Sequence, residues 1–339
     1  MIIENIHNAI YTYTHTHNNI HIREGYKMSN IQVINSNTAI AEQTRGADLF
    51  SRFINYLDAK PKTVETYTRA LRQLFNYFSF NGIRQPQRED IIAFREELQA
   101  SGHKPTTIQN YITATKLFFS WTSQEGLYPN VAEHLKGAKL NRDHKKDYLT
   151  SRQVKEVLEN IERDSLKGLR DYAILTLMVT GGLRDIEVAR ADIGDLRTAG
   201  ESTVLYIQGK GRDEKTDYVK ISPQVERAIR AYLTARGTTD DTEPLFTSTS
   251  NNNSGKRITT RSISGIVKER LKKAGYDSPR LTAHSLRHTA VTLSLLAGSE
   301  LAEVQQFARH ANIATTMIYN HSIEQAKNGC SEAIANAIF

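Results

Sequence analysis

The stretch "ARHANIATTMIYNH", residues 308–321, places His310 shortly before Tyr319. A tyrosine hydroxyl is a weak nucleophile at neutral pH, because its unperturbed pKa is about 10 and it needs help losing a proton. Against a phosphodiester, the transition state puts extra charge on the non-bridging oxygens. Fixed cations must meet that charge, since bulk water cannot be relied on to reorganise there. The leaving oxygen needs a proton of its own. The minimum kit is therefore a tyrosine, two guanidinium groups, a base and an acid.

Each part occurs in the chain. "HSLRHT" sets His284 and Arg287 three residues apart, on one face of a helix. "TGGLRDIE" sets Arg184 after a double-glycine helix stop, where the backbone can turn sharply and approach a ligand closely. Guanidinium groups match two phosphate oxygens at once and stay charged, so Arg184 and Arg287 make a phosphate clamp. "GKGR" carries Lys210 on a flexible turn, from which an ammonium can protonate a leaving oxygen; Lys215 lies in the same loop and is the competing candidate. An unbroken helix would leave His310 and Tyr319 on opposite faces. A break at Ala311–Asn312, with Asn312 as N-cap, removes that objection. Glu187 is expected to orient an arginine or a backbone group, and His288 to face away from Arg287 as structural support. Singly, such residues have ordinary readings: a surface arginine, a helix-start histidine, a core tyrosine. Only their joint occurrence points to chemistry.

Helices must position this set. In "PKTVETYTRALRQLFNYFSFNG", Val64, Tyr67, Leu71, Leu74, Phe75 and Phe78 recur at three- and four-residue steps, giving one apolar face between Pro61 and Gly82. "PTTIQNYITATKLFFSWTSQEG" repeats the pattern with Ile108, Tyr111, Ile112, Thr115, Phe118 and Phe119. With "GADLFSRFINYL" and "REDIIAFREELQASG" they predict a small helical domain over 44–130. Its polar stripes, Lys62, Thr66, Arg69 and Gln73 on one helix and Thr106, Gln109, Thr113 and Lys116 on another, are the residue types that contact phosphates and base edges. A solvated helix face is the ordinary alternative.

Residues 131–147 include the basic run "KGAKLNRDHKKD" and read as a linker. The second domain, 148–339, opens at "LTSRQVKEVLENI", where Thr150 and Gln153 fit a capping box. "GLRDYAILTLMVTGG" is apolar nearly all round and predicts a buried helix. "STVLYIQGKGRDEKTDYVKI" predicts a β-hairpin with its loop at 209–216. Helices are expected again over about 260–274, 284–297, 300–308 and from 313 onward. The first 43 residues, with His7, His15, His17 and His21, lack a helical stripe and read as a disordered tail or as residues upstream of a start at Met28. A metal-binding histidine tract is a weaker alternative there.

Composition narrows the setting. Of 339 residues, 24% are charged and 39% hydrophobic, as in ordinary globular chains, and the net charge of +7 favours a polyanionic partner. Cys330 is the only cysteine, so neither an internal disulfide nor a cysteine-based zinc site is available. No apolar run is long enough to cross a bilayer and no secretory segment opens the chain, which predicts a cytoplasmic protein.

"TGGLRDIEV", the "GKG" turn, "HSLRHTAVT" and "ARHANIATTMIYNH", in that order and spacing, resemble the tyrosine recombinase (phage integrase) family over about residues 45–325. The resemblance implies a mainly helical fold with a small β-hairpin or sheet: a SAM-like core-binding domain and a mixed α+β catalytic domain, together a C-shaped clamp on DNA. It also implies an Arg184, Lys210, His284, Arg287, His310 and Tyr319 active site. Tyr319 would form a 3′-phosphotyrosyl link and free a 5′ hydroxyl, with no metal, ATP or other cofactor. Arg184 and Arg287 would hold the phosphate, Lys210 would protonate the 5′ oxygen, His284 would manage the tyrosine proton, and His310 would hydrogen-bond the phosphate. The implied partners are double-stranded DNA bearing a specific recombination site, other protomers in a tetrameric synapse, and accessory proteins in some systems; a nucleoid location follows. The tail "SIEQAKNGCSEAIANAIF", with Ile323, Ala326, Ala333, Ile334, Ala337 and Ile338, would pack against a neighbour or the same chain. The short lead favours the two-domain form, as in chromosome-dimer resolvases and many mobile-element integrases. A catalytically silent DNA-binding relative and a monomeric type IB topoisomerase-like enzyme are the competing readings.

Overall fold

The structure, a computed structural model, describes residues 48–139, 147–209, 211–326 and 328–339. The lead over 1–43, the middle of the basic run (140–146) and Lys210 lie outside the described residues. The chain divides into two compact units, Met1–Arg142 and Asp143–Phe339.

The first unit is helical: α1 over 48–57, α2 Pro61–Phe80, α3 Arg88–Ala100 and α4 Pro105–Gln124. Proline at the first turn of α2 and α4 suits a position whose N–H has no helical partner. The expected apolar faces meet in one aromatic core. Phe118 is its hub, edge-on to Phe75 at 5.3 Å and to Phe53 at 5.5 Å, with Trp121 at 6.0 Å. The stretch expected to begin the linker belongs partly to this unit. Ala132 and Leu135 are buried in its core, Arg95 Nη1 donates to the Lys136 carbonyl at 2.8 Å, and Arg88 donates to the Glu133 carbonyl. Two buried apolar anchors are too few to produce a periodic signal.

The second unit begins with α5 Ser151–Glu159, where Thr150 and Gln153 form the expected capping box. The buried helix is α6 Leu166–Gly181, packed against α8 and α10. It carries an unforeseen ionic group: buried Asp171 accepts from Arg170 at 2.7 Å and from Arg270 at 2.5 Å. Next come α7 Asp185–Arg190, β1 Leu196–Ala199, β2 Ser202–Ile207, β3 Asp217–Ile221, α8 Pro223–Arg236, α9 Thr260–Lys273, α10 Ala283–Leu296, α11 Leu301–Ala308, α12 Ile313–Ala326 and α13 Cys330–Ile338.

The hairpin β2–β3 is antiparallel, with Leu205 opposite Val219, and β1 adds a third strand in the order β1-β2-β3. That strand escapes sequence reading because it is short and largely exposed, with no apolar alternation. Helix α8 is an addition to the expected elements, although its signals are local: Ser222 caps it, Pro223 starts it, and Gly237 ends it in the left-handed conformation. At the C-terminus Ile323 is buried, whereas Ile334, Ile338 and Phe339 on and after α13 are exposed; the Ala326 side chain lies outside the described set. Among the described residues no helix is long and apolar enough to cross a membrane.

Truncating Phe118 to alanine should destabilise the first unit by about 3–5 kcal/mol. Trp121, the sole tryptophan, reports on that core, so urea unfolding of the whole chain followed by its fluorescence checks the value. A midpoint equal to wild type would refute Phe118 as the hub.

Candidate active site

The site begins where α6 stops. Gly182 caps the helix at φ +56°, and a Cβ there would meet the Phe307 ring at 3.0 Å, so both backbone and space demand glycine. The turn releases Arg184 at the N-cap of α7. Glu187 closes that turn as expected: Oε2 accepts from the Arg184 backbone N–H and Oε1 from its Nη1, both at 2.8 Å. Glu187 is 0% exposed, and its pKa still lies below the ordinary carboxylate range. Burial opposes the charge, but Arg309, the Arg184 backbone N–H and the Arg184 guanidinium outweigh it.

Arg287, on α10, is 2% exposed. Its Nη1 donates to the Gly182 carbonyl at 2.6 Å, and its Nη2 donates to the Ala308 carbonyl at the end of α11. Burial first, then the charges of Arg184 and Arg309, push its pKa down, with Glu187 and Tyr319 opposing. His284, one turn earlier, is exposed and helps line a cavity of about 140 Å³ with Arg184, Ser264 and Thr282.

The break between α11 and α12 forms as expected. Arg309 adopts φ 53° at the end of α11, and the Asn312 side chain accepts from the Ala314 N–H at 2.8 Å to start α12. That turn brings the His310 and Tyr319 rings to 6.2 Å, nearly parallel. Tyr319 is 6% exposed; burial raises its hydroxyl pKa, and Arg287 and Arg184 pull it partly back. His310 Nδ1 is 2.9 Å from the hydroxyl of fully buried Thr316.

Three further residues border the cluster. His288, expected to face away from Arg287 as structural support, sets its ring 5.0 Å from Tyr319 and 4.8 Å from His284. It follows His284 by four residues, which shares a helix face. Thr316 and Arg309 escape sequence reading because neither residue type signals its contact. Lys215, the competitor of Lys210, binds Asp192 and Asp195 at 2.5 Å each. Burial disfavours its charge, but those two carboxylates hold its pKa above the usual value. Lys210 itself lies outside the described residues.

The polar stripes of the first unit are partly self-satisfied. Glu65 accepts from Lys62 at 2.6 Å and from Arg69 at 3.0 Å, and Thr66 donates back to the Lys62 carbonyl. On α4, Thr113 donates to the Gln109 carbonyl at 2.8 Å, and the Gln109 side chain packs on the Gly137 backbone. Gln109 is therefore half-covered by the chain's own 131–139 stretch. Thr106 is exposed and Lys116 half-buried. Exposed ion pairs such as Lys62–Glu65 are weak, so phosphate can compete for their cations.

Burial first, then Arg287, Arg184, Arg309 and His284, lowers the His310 pKa from 6.5 to about 4. The unfolded chain takes up that proton near pH 6.5, and the folded chain only near 4. Stability contributed by neutral His310 therefore falls as pH drops through this window. Going from about pH 7.5 to about pH 5 should lower the wild-type Tm more than that of His310→Gln. Equal drops in the two proteins would exclude His310 as the source.

Residues 147–326 match the model of the phage integrase family, and residues 50–126 match the phage integrase N-terminal SAM-like domain. A tyrosine recombinase XerC of Herpetosiphon aurantiacus is 31% identical, across 80% of this chain and 89% of its own length. The XerA of Pyrococcus furiosus is 29% identical, across 82% and 91%. Among solved structures, the post-cleavage complex of XerH with palindromic difH substrate superposes with TM-score 0.68 at 21% identity, over 98% of this chain and 96% of that one. A lambda integrase dimer bound to a COC′ core site superposes with TM-score 0.63 at 16% identity, over 79% and 94%. A family model spanning most of the second unit, with buried Arg287 and Tyr319 and half-buried Arg184 and His310 drawn into one cluster, places the chain in the tyrosine recombinase (phage integrase) family.

Proposed function

We propose that this chain is a site-specific DNA recombinase in which Tyr319 attacks the scissile phosphodiester. The observation that carries the reading is the charge balance around Tyr319. Arg184, Arg287 and Arg309 surround a single buried carboxylate, Glu187, and Tyr319 lies within the electrostatic reach of Arg184 and Arg287. Such a cluster complements an anion, and most of all a transition state that gains negative charge.

The step balances as follows. The Tyr319 oxygen forms a bond to phosphorus and gives up its proton, while the bond from phosphorus to the 5′ oxygen breaks. His284 takes the tyrosine proton, and His288, packed on the phenol ring, holds that ring in place. Arg184 and Arg287 bind the non-bridging oxygens, and His310, held at Nδ1 by Thr316, donates from Nε2 to the phosphate. Lys210 protonates the leaving 5′ oxygen. Lys215 suits that role poorly, because two carboxylates make it a weaker acid. A 5′ hydroxyl from a partner strand then reverses the step. The phosphotyrosyl bond stores the energy of the broken link, so the reaction needs neither ATP nor metal.

Lys62, Thr66, Arg69, Thr106, Thr113 and Lys116 are proposed to contact DNA from the first unit, with Gln109 contributing at most its partly covered edge. Four protomers would synapse two duplexes, and exposed Ile334, Ile338 and Phe339 suit a contact between them. Accessory proteins and a nucleoid location belong to the same proposal.

Incubation with a nicked suicide duplex carrying the recombination site should give a denaturation-resistant protein–DNA band that Tyr319→Phe abolishes. A band from both proteins would move the nucleophile elsewhere. Specific binding without a band from wild type would favour a silent DNA-binding protein. Arg184→Ala should slow formation of the band by a factor on the order of 10² to 10³. Its DNA affinity should persist and fall with salt at a log–log slope of roughly −0.9 per phosphate neutralised. An undiminished rate would remove Arg184 from the clamp.

A further inference from the structure

Arg309 is the one guanidinium of the cluster that the proposed chemistry leaves without a role. Its backbone sits at φ 53° and ψ 46°, the left-handed region, where glycine is at home and a side chain is strained. The side chain is 10% exposed. Nη1 donates to the Phe307 carbonyl at 2.7 Å, and Nη2 donates to the Gly182 carbonyl at 3.0 Å and to Glu187 Oε2 at 3.1 Å. Its Nε is buried with no hydrogen-bond partner.

Three of these features oppose stability. The backbone is strained, one N–H is left unsatisfied, and burial with the nearby Arg184 charge disfavours the cation more than Glu187 favours it. Strain of this kind persists where surrounding structure over-determines it, which happens chiefly at functional sites. The contacts show what is gained. Glu187, which Arg309 grips, is the partner of Arg184; the Gly182 carbonyl, which it also grips, is the partner of Arg287. Arg309 thus ties together the two groups that aim the clamp.

We infer that Arg309 is a positioning residue for strand cleavage, bracing Glu187 and the Gly182 carbonyl so that Arg184 and Arg287 are held at the angle the phosphate requires. The inference rests on the recombinase reading above. Without the brace, Glu187 keeps only Arg184 and the Gly182 carbonyl only Arg287, and each clamp arm gains freedom. Loss of alignment lowers the rate of the chemical step and leaves DNA affinity, carried by many other phosphate contacts, in place.

The test compares wild type, R309G and R309K on the nicked suicide duplex at saturating protein, with Kd and Tm measured in parallel. R309G removes the strain but also takes the largest opposing charge from buried Glu187, so its Tm should fall below wild type. Assayed well below every Tm, it should bind the duplex with Kd within about twofold, yet form the covalent link about tenfold more slowly. R309K keeps a cation beside Glu187 but not the fork that also holds the Gly182 carbonyl. Its Tm should therefore lie above that of R309G, while its rate stays several-fold below wild type. A rate loss in fully folded R309K is what a merely structural arginine would not produce. R309G cleaving at the wild-type rate, or R309K matching wild type, overturns the inference alone. A wild-type chain that binds the duplex and never links to it overturns the recombinase reading, and this inference falls with it.

Discussion

A guanidinium group taken out of water must recover its lost hydration from fixed partners, and Arg287 does so almost entirely through two backbone carbonyls. Those carbonyls belong to Gly182, at the end of α6, and Ala308, at the end of α11. Carbonyls at helix C-termini have no helical partner and carry the negative end of the helix dipole, so they suit a buried cation. The arrangement therefore constrains three helices at once. Helix α10 must deliver Arg287 to the point where α6 and α11 both stop, or the charge is stranded. The rest of the site is built outward from that junction.

Each remaining residue can be read from it. The glycine that ends α6 is required by its left-handed backbone and by the Phe307 ring beside it, and the same turn throws Arg184 forward. Glu187 closes the turn with its own carboxylate and so couples the backbone of α7 to the Arg184 side chain. The end of α11 sends the chain through Arg309 and His310 into α12, which brings Tyr319 back under the cations. The electrostatic consequence is uniform. His310 in this field stays neutral at physiological pH, and the tyrosine keeps its proton until a base is supplied. A cluster of this kind holds its charge surplus fixed in place, so little reorganisation is needed to meet an anion.

Much of this was legible in residue order. The apolar steps of α2 and α4, the Thr150–Gln153 capping box, the β2–β3 hairpin, the double-glycine stop and the Asn312 cap all follow from local rules of periodicity, capping and turn chemistry. Strand β1 did not, because an exposed four-residue edge has no alternation to detect. Residues 132–135 read as linker in the sequence because two buried apolar side chains do not make a pattern. The polar stripes of α2 and α4 were visible, but Glu65 pairing with Lys62 and Arg69, and Gly137 covering Gln109, were not.

By itself, then, the sequence determined the inventory of candidate groups, most of the helices that carry them and the family to which their order belongs. Tertiary structure alone decided which groups meet. His288 against Tyr319, Thr316 on His310, Lys215 committed to Asp192 and Asp195, and Arg309 shared between Glu187 and Gly182 are such meetings. The reason is physical. Periodicity and caps act over a few residues and leave a trace in local spacing. A buried ion pair or a ring contact joins segments far apart in the chain, and the energy that selects it comes from desolvation and packing in the assembled core.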